Sequence, residues 1–153
     1  AGAGLHGQVT DPEHALAAGL LLELALDLYG ASADRLHVRD LRWLEQHVGL
    51  EQAAQLVGTV DDLGERVRKN DEYTLTSIGS VMKATRIEDQ DDVTLTADAM
   101  VKELRDDNKT LHGRLLEVKE AAEEAGDNAT SGVVDDWIDE CEERIWFLNQ
   151  TSK

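Results

Sequence analysis

The sequence predicts an all-α chain: a bundle of four long helices, with a short extra helix in the connection between the second and third. Three observations predict it. Apolar residues recur at helical spacing over long stretches; Ala97, Val101, Leu104, Asn108, Leu111, Leu115, Val118, Ala122 and Ala125 follow one another in alternating steps of four and three. No stretch shows the apolar–polar alternation of a half-buried strand. The breaks between periodic stretches carry helix punctuation, such as Thr10-Asp11-Pro12-Glu13, a capping acid followed by proline in the first turn. With 153 residues the chain is long enough for one domain with a substantial core.

The elements follow in order. Residues 1–11 are expected to form a flexible, Gly-rich N-terminal segment, and residues 12–150 the bundle domain. The first helix runs from Pro12 to about Leu36. It is apolar on most sides (Leu16, Leu20, Leu21, Leu24, Leu28), which predicts near-complete burial. Asp40 can cap the second helix, which extends to about Lys69 and stops at the polar run Asn70-Asp71-Glu72-Tyr73-Thr74. Residues 74–86 make the short helix and residues 88–92 a loop. Thr94 or Thr96 caps the third helix, which Gly126 ends. Asp127 or Asn128 starts the fourth, with Val134, Trp137, Cys141, Ile145 and Leu148 on one face, running to about Asn149.

The second helix carries a chemical pattern. At about 100° per residue, with His47 at zero, Glu51 falls near +40°, Asp61 near −40° and Glu65 near zero. Four metal-capable side chains thus share one stripe. His47 and Glu65 are nevertheless about 27 Å apart along the axis, so one helix cannot bring them to one ion. A second copy running antiparallel about a two-fold axis can, setting His47 and Glu51 of one subunit beside Asp61 and Glu65 of the other. Ala54 and Gly58, in the middle of the stripe, let two helices approach closely. The competing reading is a solvated acidic face with an incidental histidine. Metal-binding bundles often hold Glu-x-x-His pairs facing inward. Here Lys109 stands three residues before His112 and Leu44 three before His47, so an intrabundle site of that kind is not expected.

Composition narrows the partners. The 32 acids against 15 Lys plus Arg give a formal charge of −17, which repels nucleic acid and anionic membranes and attracts cations. The same charge would also suit a high-salt environment. Cys141, the single cysteine, cannot form an internal disulfide, which fits a reducing compartment, and it reads as a small buried residue rather than a nucleophile. The apolar run of residues 16–30 contains Glu23 and Asp27 and is too short and too polar to span a bilayer. Neither a phosphate-binding glycine loop nor a Cys-x-x-Cys pair is present.

Several motifs, in this order, resemble the Dps family of ferritin-like mini-ferritins. Residues 125–148, AGDNATSGVVDDWIDECEERIWFL, are similar to that family's last helix. Asp61-Asp62-Leu63-Gly64-Glu65-Arg66 resembles its D-x-x-x-E-R motif, Trp43-Leu44-Glu45-Gln46-His47 its aromatic-x-x-x-His, and residues 74–87 the helix inside its long connection. The resemblance covers about residues 12–150. It implies a ferritin-like four-helix bundle, assembly into a hollow dodecamer, and a cytoplasmic ferroxidase that oxidises Fe(II) with peroxide or oxygen, stores the iron and spares DNA, in some members at the nucleoid. By position it implies His47, Asp61 and Glu65 as the reactive ligands and Glu51 as a bridging carboxylate. It further implies a pore lined by acids such as Asp127 and Asp136, where Gly132 replaces a usual acid, and Trp43 as either an electron donor or packing at the dimer contact. Two departures stand out. The first-helix His of the family falls on Arg35, with His37 two residues later as a possible substitute. The stretch between His47 and Asp61 is also one residue short. These keep a second reading open, a structural or binding bundle with a degenerate metal site. The absence of a Lys-rich arm within residues 1–11 predicts weak DNA binding or none.

Overall fold

The computed structural model describes residues 50–88, 90, 92 and 94–151, with backbone alone for 50 and 51. The expected N-terminal segment, the first helix and the start of the second, and with them His37 and His47, lie outside the described residues. Within them are four helices and no strand: α1 (Leu50–Lys69), α2 (Ile78–Ala84), α3 (Ala97–Glu124) and α4 (Asn128–Thr151).

Each boundary has a local cause. Thr96 caps α3, its hydroxyl accepting from the Ala99 amide at 3.3 Å, so the later of the two candidate threonines starts the helix. At the other end Gly126 takes the left-handed conformation, φ 70°, that closes the helix. Its amide donates to the Glu123 carbonyl at 3.1 Å and the Asp127 amide to the Ala122 carbonyl at 2.8 Å. Asp127 then caps α4 at once, accepting from the Thr130 amide at 3.0 Å. The short helix is shorter than expected. Ser77 captures the Ser80 amide at 3.2 Å and starts α2, while Thr85 turns extended, φ −61° and ψ 141°, and stops it.

One core joins three helices: Leu56, Leu63 and Val67 from α1, Leu111, Leu115 and Val118 from α3, and Val134, Trp137 and Cys141 from α4. Leu63, Val118, Val134 and Cys141 are completely buried. A smaller cluster of Val101, Leu104, Phe147 and Leu148 closes one end of the α3–α4 pair. α4 runs antiparallel to both neighbours, since its start meets the end of α1 (Arg66 to Thr130) and its later turns meet α1 farther back (Arg144 to Gln55). Accordingly α1 and α3 run in the same direction, and the connection carrying α2 must travel the length of the bundle.

The end of α1 is closed by Asp71 at φ 62°, the single non-glycine residue in the left-handed region among the described residues. The Glu72 amide reaches the Val67 carbonyl at 3.2 Å and the Asp71 amide the Arg68 carbonyl at 3.1 Å, the pattern glycine usually provides. Aspartate tolerates this backbone; a β-branched residue does not. Asp71→Val should therefore cost about 1–2 kcal/mol, seen as a lower urea midpoint at unchanged slope.

Candidate metal site on the outer face of α1

The faces of α1 are divided by its packing. Leu56, Leu63 and Val67 lie within about 40° of the side opposite His47 in the helical projection, and all three are buried. Asp61 and Glu65 therefore point away from the core, and both are exposed. They sit one turn apart, about 6 Å along the axis. Beside them, Ala54 and Gly58 are exposed too, and a Cβ added at Gly58 would meet no atom within 4 Å. Val57, on the same side, is 56% exposed. Among the described residues the outer face thus presents two carboxylates beside an open, small-residue strip.

Glu65 has a partner. Lys69, one turn on, donates from Nζ to Glu65 Oε2 at 2.8 Å. This hydrogen bond, and then the lysine charge, holds the carboxyl below its ordinary range, so Glu65 is an anion at neutral pH. Glu51 belongs to α1 by its backbone. Asp61 and Glu65 are the members of the predicted ligand set whose side chains are described and brought together; His47 and His37 lie outside the described residues. Among the described residues no three of His, Cys, Asp and Glu converge on a point where an ion could sit. Asp61 and Glu65 can supply oxygen ligands to a hard or borderline cation, but two carboxylates do not complete a coordination sphere.

The two acids of α4 are held apart. Asp127 lies at the helix start and Asp136 about 13 Å farther along, near the opposite side of the projection. Asp136 is exposed. Asp127 is committed to a junction that the sequence reading missed. Arg66 Nη2 donates to both of its oxygens, at 2.8 and 3.0 Å, and Asn70 Nδ2 to Oδ2 at 3.0 Å. The Thr130 hydroxyl and amide donate to it as well. The guanidinium also reaches Thr130 Oγ1 from Nε at 3.1 Å and from Nη2 at 2.9 Å. Burial pushes the Asp127 carboxyl up, but the Thr130 and Asn70 hydrogen bonds and the Arg66 charge outweigh it and hold it at about 2.

The bundle interior holds cations of its own. Arg144, 6% exposed, donates from Nε to Asn108 Oδ1 at 2.9 Å and from Nη1 to Gln55 Oε1 at 3.3 Å. Asn108 returns its amide to the Leu104 carbonyl at 2.8 Å, and its own carbonyl accepts the Cys141 thiol at 3.1 Å. Burial pushes that thiol up, which makes Cys141 an inert packing residue. The one polar residue in the α3 repeat, Asn108, was the sequence signal for this network. His112 faces Glu142 across the α3–α4 surface, at 3.1 Å.

The ferritin family model, described as a ferritin-like domain, matches residues 46–153. The chain belongs to the ferritin-like family. Within it the fold is that of Dps proteins. Dps of Vibrio cholerae O1, described as a member of a broad superfamily of ferritin-like diiron-carboxylate proteins, superposes with a TM-score of 0.84 at 22% identity, over 100% of both chains. Dps of Bacillus brevis gives 0.86 at 20% identity, over 94% of this chain and 99% of that one. Dps of Thermosynechococcus elongatus gives 0.86 at 17% identity, over 95% and 96%. A DNA protection during starvation protein of Helicobacter pylori is 28% identical over 88 residues; the match spans 58% of this chain and 61% of that protein. No helix among the described residues is long and apolar enough to cross a membrane.

The junction carries a pH dependence. The folded pKa of Asp127 lies below the ordinary value of 3.8, so its stabilisation is complete above that pH and is lost as pH falls from 3.8 towards about 2. The loss should amount to about 2 kcal/mol. Asp127→Asn keeps a capping side chain but surrenders the charge facing Arg66, so the variant should be less stable by a similar amount at pH 7 and less sensitive to acid. Urea unfolding at pH 7, 4 and 2.5 measures both.

Proposed function

We propose that this protein is a ferroxidase and iron store that oxidises Fe(II) at sites shared between two subunits. One observation carries the reading: among the described residues Asp61 and Glu65 stand on the face of α1 opposite its buried side, beside the strip at Gly58, and no third ligand converges with them there. An antiparallel copy supplies what is missing, with His47 and Glu51 of one subunit meeting Asp61 and Glu65 of the other. Carboxylate oxygens and one imidazole suit iron. The membership of the Vibrio cholerae protein in a superfamily of diiron-carboxylate proteins supports the choice of metal.

Fe(II) is the substrate. Two Fe(II) ions each give one electron to a peroxide; its O–O bond breaks, two protons are taken up, and two water molecules leave with no free hydroxyl radical. Asp61 and Glu65 hold the ions and balance the charge gained on oxidation, His47 anchors them from the partner side, and Glu51 bridges. A shell of twelve copies would then enclose the Fe(III), and the excess of acids would draw cations towards it. Asp136, exposed on α4, is the acid suited to an entry channel, because Asp127 is spent on Arg66. His37 is the candidate substitute for the ligand lost at Arg35. Removal of iron and peroxide would spare DNA without contact with it, and the setting proposed is the cytoplasm.

Fe(II) titration with peroxide, following Fe(III) absorbance and particle mass together, tests this reading. The wild-type chain should sediment near twelve times its mass of 16.8 kDa and oxidise iron rapidly. Glu65→Gln and His47→Ala should each lose about tenfold or more of the fast phase with the particle intact, and the double variant little further. Mixed particles of the two single variants should recover part of the activity, since some interfaces regain one intact site. An assembled wild-type particle with no fast phase would instead favour the degenerate bundle that Arg35 suggests.

The charge argues against a direct hold on DNA. A gel shift at physiological salt without divalent ions should show no retention; retention would place a basic arm or face outside the described residues.

A further inference from the structure

The outer face of α1 does not end with its acids. In the projection that places His47 at zero, Lys69 falls near +40°, the same line as Glu51, so a cation stands on the carboxylate stripe itself. Its ammonium is 2.8 Å from Glu65 Oε2, within the ion pair already described. The neighbouring basic residues are turned elsewhere. Arg66 is committed to Asp127 and Thr130. Arg68 donates to the Glu72 carbonyl at 2.9 Å and lies over the Tyr73 ring at 4.9 Å. Lys69 is the basic group of that last turn aimed at a proposed iron ligand.

We propose that Lys69 is a tethered competitor for the metal: its ammonium occupies Glu65 until a divalent cation displaces it, and it thereby sets the concentration at which the stripe loads. The inference rests on Glu65 being a ligand. The carboxylate oxygen that accepts from Nζ cannot give the same lone pair to a metal. Both side chains are more than half exposed, at 57% and 58%, so the pair is a loose surface one and can yield. The lysine stem is long enough to swing its head into water with no change of backbone. A divalent ion brings twice the charge and gathers Asp61 as well, so it wins once its concentration is sufficient. Lys69 is a positioning residue in this scheme, acting through Glu65 and touching no iron.

Co(II), which peroxide-free buffer leaves unoxidised, is the probe, titrated into the assembled protein by calorimetry and by its visible absorption. Lys69→Gln should bind Co(II) roughly threefold more tightly than wild type, the scale on which exposed ion pairs act. Lys69→Arg, which keeps the charge, should titrate like wild type. Glu65→Gln should bind more weakly, and adding Lys69→Gln to it should restore nothing. Lys102→Gln, an exposed lysine of α3 off this face, controls for net charge and should leave the affinity unchanged. Equal affinity in Lys69→Gln and wild type, with Glu65→Gln weakened, would overturn the competitor while leaving the ligand in place. Equal tightening by Lys102→Gln would overturn it as a bulk charge effect. Unchanged affinity in Glu65→Gln would remove the ligand and the competitor together.

Discussion

The contact between Arg66 and Asp127 is the constraint on which the rest of the arrangement depends. It joins the last turn of α1 to the first of α4 through one guanidinium nitrogen, Nη2, and both oxygens of a carboxylate, while Nε reaches Thr130 and Asn70 completes the shell. Arg66 follows Glu65 directly, and successive helical residues diverge by about 100°. Turning Arg66 inward to α4 turns Glu65 outward. The same clamp fixes the direction of α4, and through the tight Gly126 turn it fixes α3. The ion pair thus reinforces the orientation that Leu56, Leu63 and Val67 give α1, and it withdraws Asp127 from the acids left exposed.

The interior contributes by what it excludes. Where some bundles hold metal between their helices, this one places Arg144 between Asn108 and Gln55, and a second buried arginine, Arg114, on α3. Each is paired with a carboxylate on its own helix, Arg144 with Glu140 at 3.8 Å and Arg114 with Glu117. Most acids of α1, α3 and α4, Asp127 apart, lie by contrast on the outside of the helices. Exposed lysines such as Lys69 and Lys109 share that outer surface with them.

Much of this was legible in the sequence. Apolar periodicity gave α3 and α4 to within two residues, because a helix that buries one face must repeat at 3.6 and the signal accumulates over seven turns. The outward orientation of Asp61 and Glu65 was also implicit, since Leu56, Leu63 and Val67 mark the opposite side and the angle between them is set by backbone geometry alone. The division into an N-terminal segment and a bundle domain, and the roles of His37, His47 and Glu51, remain proposals.

Tertiary structure alone decided the partners of the polar residues. Asp127 reads in sequence as a helix cap or a pore acid; the arrival of Arg66, 61 positions earlier in the chain, makes it a structural anchor. Asn108 reads as a flaw in an apolar repeat; Arg144 on the antiparallel helix makes it a hub. Periodicity is a property of one helix and survives without its neighbours, whereas a hydrogen bond between helices depends on register and rotation, which only the packed core fixes. The sequence by itself determined which face of α1 carries the acids, and the packed bundle decided which acids are left free to bind.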